Sequence, residues 1–481
     1  MTVFSVFALP AALLLYRSLH SKQELAIDSI AVMPITTNDT DINAQVIGDG
    51  ITASLVESLS QVPNLKVMSR SSVMRYRGKE IDPKVVGREL NVKAVLIGTL
   101  VQRGDNIDLS AELVNASDDT HLWGKEYSRG VSDILLLQQE LTKSISAKLM
   151  PKLSSEAREK LARQGTADSE AYQLYVRGQT YQDTLTGEGW KKAIEFFQEA
   201  ISKDPNYAAA YAGMAHAYSL LGFFGSLPAK EAMKKADEAA NKAIQLDDSI
   251  AEAHAALGYV ALFDWNWRVA EQEIRRALEL NPNLSLAHLY YGQYFSSQGR
   301  LDDAIAEHKR ALELDPASQF MNQALCGEYH ASREYDKSIQ QCRKVLEMYP
   351  DVSMPHDTMS SDYEQKKTYD KALQEDQRSL TLGGEPELSA AMGRAYAANG
   401  WEGVLKKRVE VYQKRGTSDY DPVAVAEAYA SLGEKDKAFL WLERAYEERA
   451  SLLFIKTLPD LDNLRSDARY ADLLRRMGLP Q

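Results

Sequence analysis

Two histidines, two cysteines and one acidic turn are the residues whose types and spacing invite a chemical reading. His254 and His288 stand 34 positions apart, each four residues ahead of a glycine, Gly258 or Gly292. Metal ligation would bring both imidazoles within about 2 Å of one ion, whereas packed helices lie roughly 8–10 Å apart. A repeated packing role is therefore expected, and no metal is assigned. Cys326 and Cys342 are too few for a four-thiolate zinc site or a multi-bridge scaffold. Facing inward from a helix pair, they read as small buried apolar residues, with a disulfide as the alternative. Gly48-Asp49-Gly50 is too short to cradle a phosphate and reads as a turn at a helix start. The chain carries no GxxxxGK[ST] loop, HExxH pair, GxSxG elbow, HRD or DFG motif. No catalytic residue and no cofactor is expected, and the chain is read as non-enzymatic.

What positions these residues is a 34-residue beat between about Ala171 and Ala450. Ala236, Ala270, Ala304, Ser338 and Ala372 fall on it, as do Ala243, Ala277, Ala311 and Val345. Pro282, Pro316 and Pro350 close three successive units. A small residue in one helix, alanine in the next and proline at the exit form the tetratricopeptide (TPR) signature. One such helix pair cannot bury its apolar side alone, so neighbours must stack into a superhelical solenoid.

Composition limits the partners. With 56 basic against 68 acidic residues, the net charge is −12, and a nucleic-acid binder usually shows a basic surplus or stripe. The run Lys406, Lys407, Arg408, Lys414 and Arg415 spreads around a helix and reads as a solvated face. Protein or peptide partners are expected, and no nucleic acid.

Residues 1–26 begin with MTVFSVFALPAALLLY, free of charge and a little short of the roughly 20 residues that cross a bilayer. This segment is read as a membrane anchor, its side left open between periplasm and cytoplasm; the alternative is an apolar lead-in that packs on the protein. Residues 27–150 then change pattern. Ser29–Ile35 and Leu65–Ser69 read as strands and Ala44–Leu59 as an amphipathic helix. Pro83–Leu90 reads as a short helix capped by Asp82. Ala94–Val101, Ile107–Leu113 and His121–Tyr127 follow as strands, and the stripe Ile134, Leu137, Leu141, Ile145 as a closing helix. The order describes an α/β domain of about 120 residues. The runs GDGITASLVESLSQVPNLKVMSR, RYRGK, ELNVKAVLIGTL, HLWGKEY and LLLQQELT resemble the TolB-like domain, which precedes TPR arrays in bacterial signalling proteins. The resemblance implies a recognition or sensor module without catalytic residues.

Residues 151–169 read as a linker and 170–450 as a TPR array of about eight helix pairs, the sixth and seventh drifting in period. The unit holding Ala215 and Tyr218 carries about nine residues beyond the period, placed around Phe223–Lys230 as a longer turn on one rim. Trp265 and Trp267 sit in a turn within one unit, as a packing ridge or an exposed partner anchor. Residues 451–481 read as a cap over the last unit, with Leu473, Leu474 and Met477 inward and Arg469, Arg475 and Arg476 in water.

The resemblance to TPR arrays implies a concave face lined by the first helix of each pair. Its slots fall on Tyr175, Gln179, His216, Tyr259, Phe263, Gln293, Phe320, Gln323 and Arg394. Apart from Arg394, the Lys, Arg and Asn residues with which chaperone-binding members clamp a carboxylate are missing from these slots. The function expected is a scaffold that binds a partner peptide or helix at a membrane. The alternative is the sensor half of a bacterial kinase, cyclase or winged-helix regulator whose output domain is lost or encoded upstream.

Overall fold

Asp82 shows how local rules build the first domain. Its carboxylate accepts the N–H groups of Lys84 and Val85, and Pro83 takes the first helical position, where a missing N–H costs nothing. The computed structural model describes residues 27–37, 42–151, 153–162, 165–415, 422–449 and 452–480. Up to residue 151 the elements are β1 (Ser29–Val32), β2 (Thr36–Thr37), α1 (Ile42–Ser60), β3 (Lys66–Val67), α2 (Arg70–Met74) and α3 (Pro83–Leu90). β4 (Ala94–Arg103), β5 (Asn106–Asn115), β6 (His121–Gly130) and α4 (Ile134–Leu149) complete the domain. The sheet order is β3-β1-β4-β5-β6, with β2 beside β4; β1, β3 and β4 run parallel and β4-β5-β6 antiparallel. Alternation sends Ile30 and Val32 into a core with α1 and α4, while Ala31 and Met33 meet Val86 and Leu90 on the other face.

One expectation is corrected here. Gly48-Asp49-Gly50 lies inside α1 and not at its start. These glycines give close approach in place of a turn: a Cβ on Gly50 would stand 2.8 Å from the hydroxyl of Tyr172, and one on Gly48 3.1 Å from the carbonyl of Ile35.

After a short helix α5 (Ser155–Leu161), eight helix pairs follow among the described residues. They are α6 (Ser169–Gln182) with α7 (Gly187–Lys203), α8 (Ala208–Phe223) with α9 (Ala229–Leu246), and α10 (Ala251–Phe263) with α11 (Trp267–Leu280). Next come α12 (Ser285–Ser297) with α13 (Leu301–Leu314), α14 (Gln319–Ala331) with α15 (Tyr335–Met348), and α16 (Met354–Gln365) with α17 (Tyr369–Leu382). The seventh pair is a single run, α18 (Pro386–Arg415), broken at Asn399 and at Gly400, whose φ of 62° only glycine adopts freely. α19 (Pro422–Ser431) and α20 (Lys435–Glu448) form the last pair, and α21 (Ala468–Arg476) ends the chain. The protein is thus an α/β domain followed by an all-α TPR solenoid.

Two contacts recur in the middle of the array, the first in the third to sixth pairs and the second in the third to fifth. In the first, a ring nitrogen near the start of one helix meets a carboxylate 19 positions on: His254–Glu273, His288–Glu307 and His356–Glu375, each at 2.6 Å. Asn322 and Gln341 fill the same slots at 2.8 Å. The histidines serve packing within their own units, and no group of three His, Cys, Asp or Glu able to hold a metal occurs among the described residues. In the second contact, a small residue in the first helix receives a side chain from the second. Gly258 receives Ile274 and Gly292 receives His308, while Cys326 and Cys342 are disulfide-bonded in that slot, 16 positions and 5.4 Å between Cα atoms apart.

The membrane-anchored localisation is also corrected. Among the described residues no helix is long and apolar enough to cross a membrane, and the segment 1–26 on which that expectation rested lies outside them.

The slot contact makes a signed prediction. Helix propensity favours alanine over glycine by about 1 kcal/mol, but overpacking costs about 1–3 kcal/mol. A Cβ on Gly258 would lie 2.6 Å from Ile274 Cγ1 and 3.2 Å from its backbone nitrogen, whereas one on Gly327 meets nothing within 4 Å. Gly258→Ala should lower stability and Gly327→Ala raise it, read from urea midpoints.

Candidate protein-interaction surface

The nine slots expected to line the inner face do not form one open trough. Tyr175, Tyr259, Gln293 and Gln323 are buried, at 9%, 5%, 4% and 7% exposure. Tyr175 packs between Phe197 and Tyr207, and Tyr259 stacks on Tyr290 at 4.5 Å. Gln179 donates to the Tyr175 hydroxyl at 2.6 Å and accepts from Arg70. His216 Nδ1 faces the Gln182 amide at 2.5 Å, and desolvation pushes its pKa down to about 4. Phe263 and Phe320 are half-buried, and Arg394 is exposed. An open cleft of about 500 Å³ beside α17, lined by His356, Gln374, Glu375, Gln377, Arg378, Thr381 and Ser389, contains none of the nine.

Two features fill the interior. The additional residues of the second unit form the turn 224–228, in which Gly225 takes a φ of 68°. That turn directs aromatic rings across the superhelix: Phe223 and Phe224 lie 5.5 and 5.7 Å from Phe320 of the fifth unit. The extension serves the interior as well as the rim.

The second is the α/β domain, which meets the array through two contacts of different chemistry. The first is apolar. Tyr172 and Val176 of α6 share one core with Ile47, Ile51 and Leu55 of α1 and Leu137 and Leu141 of α4. At its centre the Tyr172 hydroxyl donates to the Gly50 carbonyl at 2.6 Å and accepts from Gln138 at 2.7 Å. The second contact is a polar seam. Asn281 donates to Ser60 Oγ at 2.9 Å, and Asn283 to the carbonyls of Ser60 and Leu65 at 2.9 and 2.8 Å. The Ser69 N–H meets the Leu314 carbonyl at 3.0 Å, while Ser71 and Ser72 donate to the two oxygens of Asp315, the latter at 2.6 Å. Burial raises the Asp315 pKa, against the hydrogen bonds from Ser71 and Ser72 that lower it. Arg70 reaches Asp183 at 3.3 Å, Gln179 at 3.4 Å and Thr180 at 3.3 Å. The sequence reading missed Asn281, Asn283 and Asp315, which look there like ordinary turn residues, and Phe223 and Phe224, whose signal was the lengthened unit.

Residues 26–145 match the family described as HilA/YgeH-like transcriptional regulator, second domain. A stretch of 249 residues is 31% identical to putative adenylate cyclase 3 of Rhizobium meliloti (strain 1021), covering 51% of this chain and 42% of that protein. The chain therefore spans less than half of that relative. Solved structures similar to it include TTC0263, a thermophilic TPR protein of Thermus thermophilus, at 18% identity and a TM-score of 0.34, covering 40% of this chain and 98% of that one. YrrB, a TPR protein with an unusual peptide-binding site, is 19% identical with a TM-score of 0.30, covering 41% and 97%. An IFIT1 monomeric mutant with Gppp-AAAA is 16% identical with a TM-score of 0.41, covering 65% and 76%.

The opposite rim is closed by the chain's own end. Trp267 donates to the Met477 carbonyl at 2.7 Å; Trp265 stacks on Tyr446 at 5.2 Å beneath Arg449. Lys456 reaches the Gln298 carbonyl at 3.1 Å, and Arg333 pairs with Asp462. Leu473, Leu474 and Met477 are buried in the cap. Arg469 and Arg475 pair with acidic residues at the surface, and Arg476 is the departure, part-buried against Glu443 and over Tyr446.

His330 joins cap and array: Nδ1 lies 2.8 Å from Asp362 and Nε2 3.6 Å from Asp460. Burial opposes its charge, but hydrogen bonds to Asp362 and Asp460 prevail and raise its pKa to about 10. A histidine raised in the folded state stabilises fully below its unfolded value near 6.5 and loses that contribution as pH climbs through about 10. Comparing melting temperatures of wild type and His330→Gln at intervals from pH 6 to 10.5 should show a gap that is widest at the acid end and closes toward the alkaline end.

Proposed function

We propose that this chain is a non-enzymatic protein-interaction scaffold whose array holds extended or helical segments of other proteins. One observation supports it most: the array already holds residues 60–72 of its own chain by their backbone groups and short polar side chains. Repeat arrays bind peptides through such contacts, and a preformed surface loses little entropy on capture. The partner surface we propose is the concave set Tyr175, Gln179, His216, Tyr259, Phe263, Gln293, Phe320, Gln323 and Arg394. A partner meets Arg394 first, because it is the exposed member, and Phe263 and Phe320 after it, which are half-buried. The α/β domain, for which we keep the TolB-like resemblance as a proposal, then presents the array in a fixed pose.

A second reading makes the chain the sensor half of a signalling protein whose output lies outside it. The partial match to a putative adenylate cyclase and the regulator family matched by residues 26–145 favour it.

Capture with purified chain and lysate, compared with Phe320→Ala and with Arg394→Ala, should lose a common set of bound proteins from both variants. Identical sets with all three baits would count against the concave reading. Incubation of the chain with ATP and Mg²⁺ should yield no cyclic AMP, and its appearance would overturn the non-enzymatic assignment for either reading.

A further inference from the structure

We infer that α2 and the serine ahead of it are a built-in ligand of the array, and that the site they fill takes a short basic, serine-bearing helix from a partner. This rests on the scaffold reading and names the kind of segment the scaffold takes.

The site has two walls. One wall is the first unit, where Asp183, Gln179 and Thr180 surround a single guanidinium, that of Arg70. The other wall is the end of the fourth unit, where Asp315 gives both carboxylate oxygens to hydroxyl donors and Leu314 gives its carbonyl to an N–H. These groups are acceptors, apart from the Thr180 hydroxyl and the Gln179 amide, the latter turned toward Tyr175. A ligand must therefore bring donors: a cation at one end and hydroxyls with a free N–H at the other. The sequence SRSSVMRYR (69–77) brings both, with Arg70 turned to the first wall and Ser69, Ser71 and Ser72 on either side of it turned to the second. An acidic or phosphorylated segment would face two carboxylates and is excluded.

The α/β domain is held to α6 by a shared apolar core that includes none of residues 69–77, whose Val73 and Tyr76 pack in a second core made by that domain alone. The seam at Asp315 consists of hydrogen bonds and one ion pair, which water or a competing donor can replace without baring that core. A tethered segment competes at the high effective concentration of an intramolecular partner, so a free peptide binds the intact chain weakly. Weakening the tethered copy exposes the site.

The test uses the full-length chain and a fluorescein-labelled peptide of residues 66–79 as probe. Anisotropy titrations should show binding to Arg70→Ala/Ser71→Ala/Ser72→Ala at least about tenfold tighter than to wild type, as removal of a tethered competitor requires. Adding Asp315→Asn to that variant should reverse the gain, with melting curves confirming that each protein is folded. In wild type, saturating peptide should speed amide hydrogen exchange at residues 69–77. Equal affinity for wild type and the triple variant, indifference to Asp315→Asn, or binding that leaves exchange at 69–77 unchanged would each overturn the proposal. Capture from lysate that Phe320→Ala leaves unchanged would strike the scaffold reading instead.

Discussion

The close approach of Gly50 to Tyr172 decides where the rest of the chain can lie. A side chain at position 50 would collide with that ring, so its absence lets α1 and α6 share a core and not merely touch at a surface. Burying a large apolar side chain is worth about 1.5–3 kcal/mol, and Tyr172, Val176, Ile47, Ile51 and Leu55 all contribute to this joint. The hydroxyl needed a partner once buried and has two, the Gly50 carbonyl and Gln138. With the first helix pair fixed against α1, the end of α1 and the whole of α2 are carried toward the turns of the third and fourth units. The polar seam follows from the apolar joint.

A repeat array is ordinarily a one-dimensional object in which each unit answers only to its neighbours. Here both rims are tied across the superhelix. Asn281 and Asn283 reach back to Ser60, while Trp267 reaches forward to Met477. Contacts this distant in sequence couple units that otherwise fray separately, so the ends of the array depend on its middle. Phe223, Phe224 and Phe320 add a third tie through the interior. The closed arrangement explains why an acidic, charge-rich surface surrounds an inner face whose tyrosines and glutamines are mostly buried.

The periodic part of this architecture was legible because several slots keep one spacing. Gly258 and Gly292 mark positions where a second-helix side chain must enter, and any reading of the period finds them. Pro83 and Asp82 were legible for a different reason: a cap is a local rule that needs no tertiary information. The closures were not legible. Their residues are Asn, Asp and Ser in turns, types that turns recruit everywhere, and their meeting depends on a superhelical curvature summed over several units. Gly48 and Gly50 illustrate the limit. Glycine beside aspartate suggests a turn, yet tertiary packing uses the missing Cβ for helix contact and overrides the local preference. The drifting sixth and seventh units have a physical cause too. Asp376 takes the slot that Ile274 fills in the third unit, and it is answered by Arg408 at 2.6 Å, so polar partners replace the apolar ones that carry the period.

The two ties between the α/β domain and the array differ in how they respond to strain. A hydrogen bond in the seam contributes about 0.5–1.5 kcal/mol net, because water replaces it on opening. Opening the joint around Tyr172 would instead expose a continuous apolar core, a cost that water does not offset. Strain on the domain pair is therefore released at Asp315, Asn281 and Asn283 first, with α1 and α6 acting as the axis of any movement. A segment parted from the seam stays packed on the α/β domain through Val73 and Tyr76 and returns to the same acceptors when the strain ends. Fixed axis and replaceable seam together describe a domain that can be lifted from the array without being lost from it.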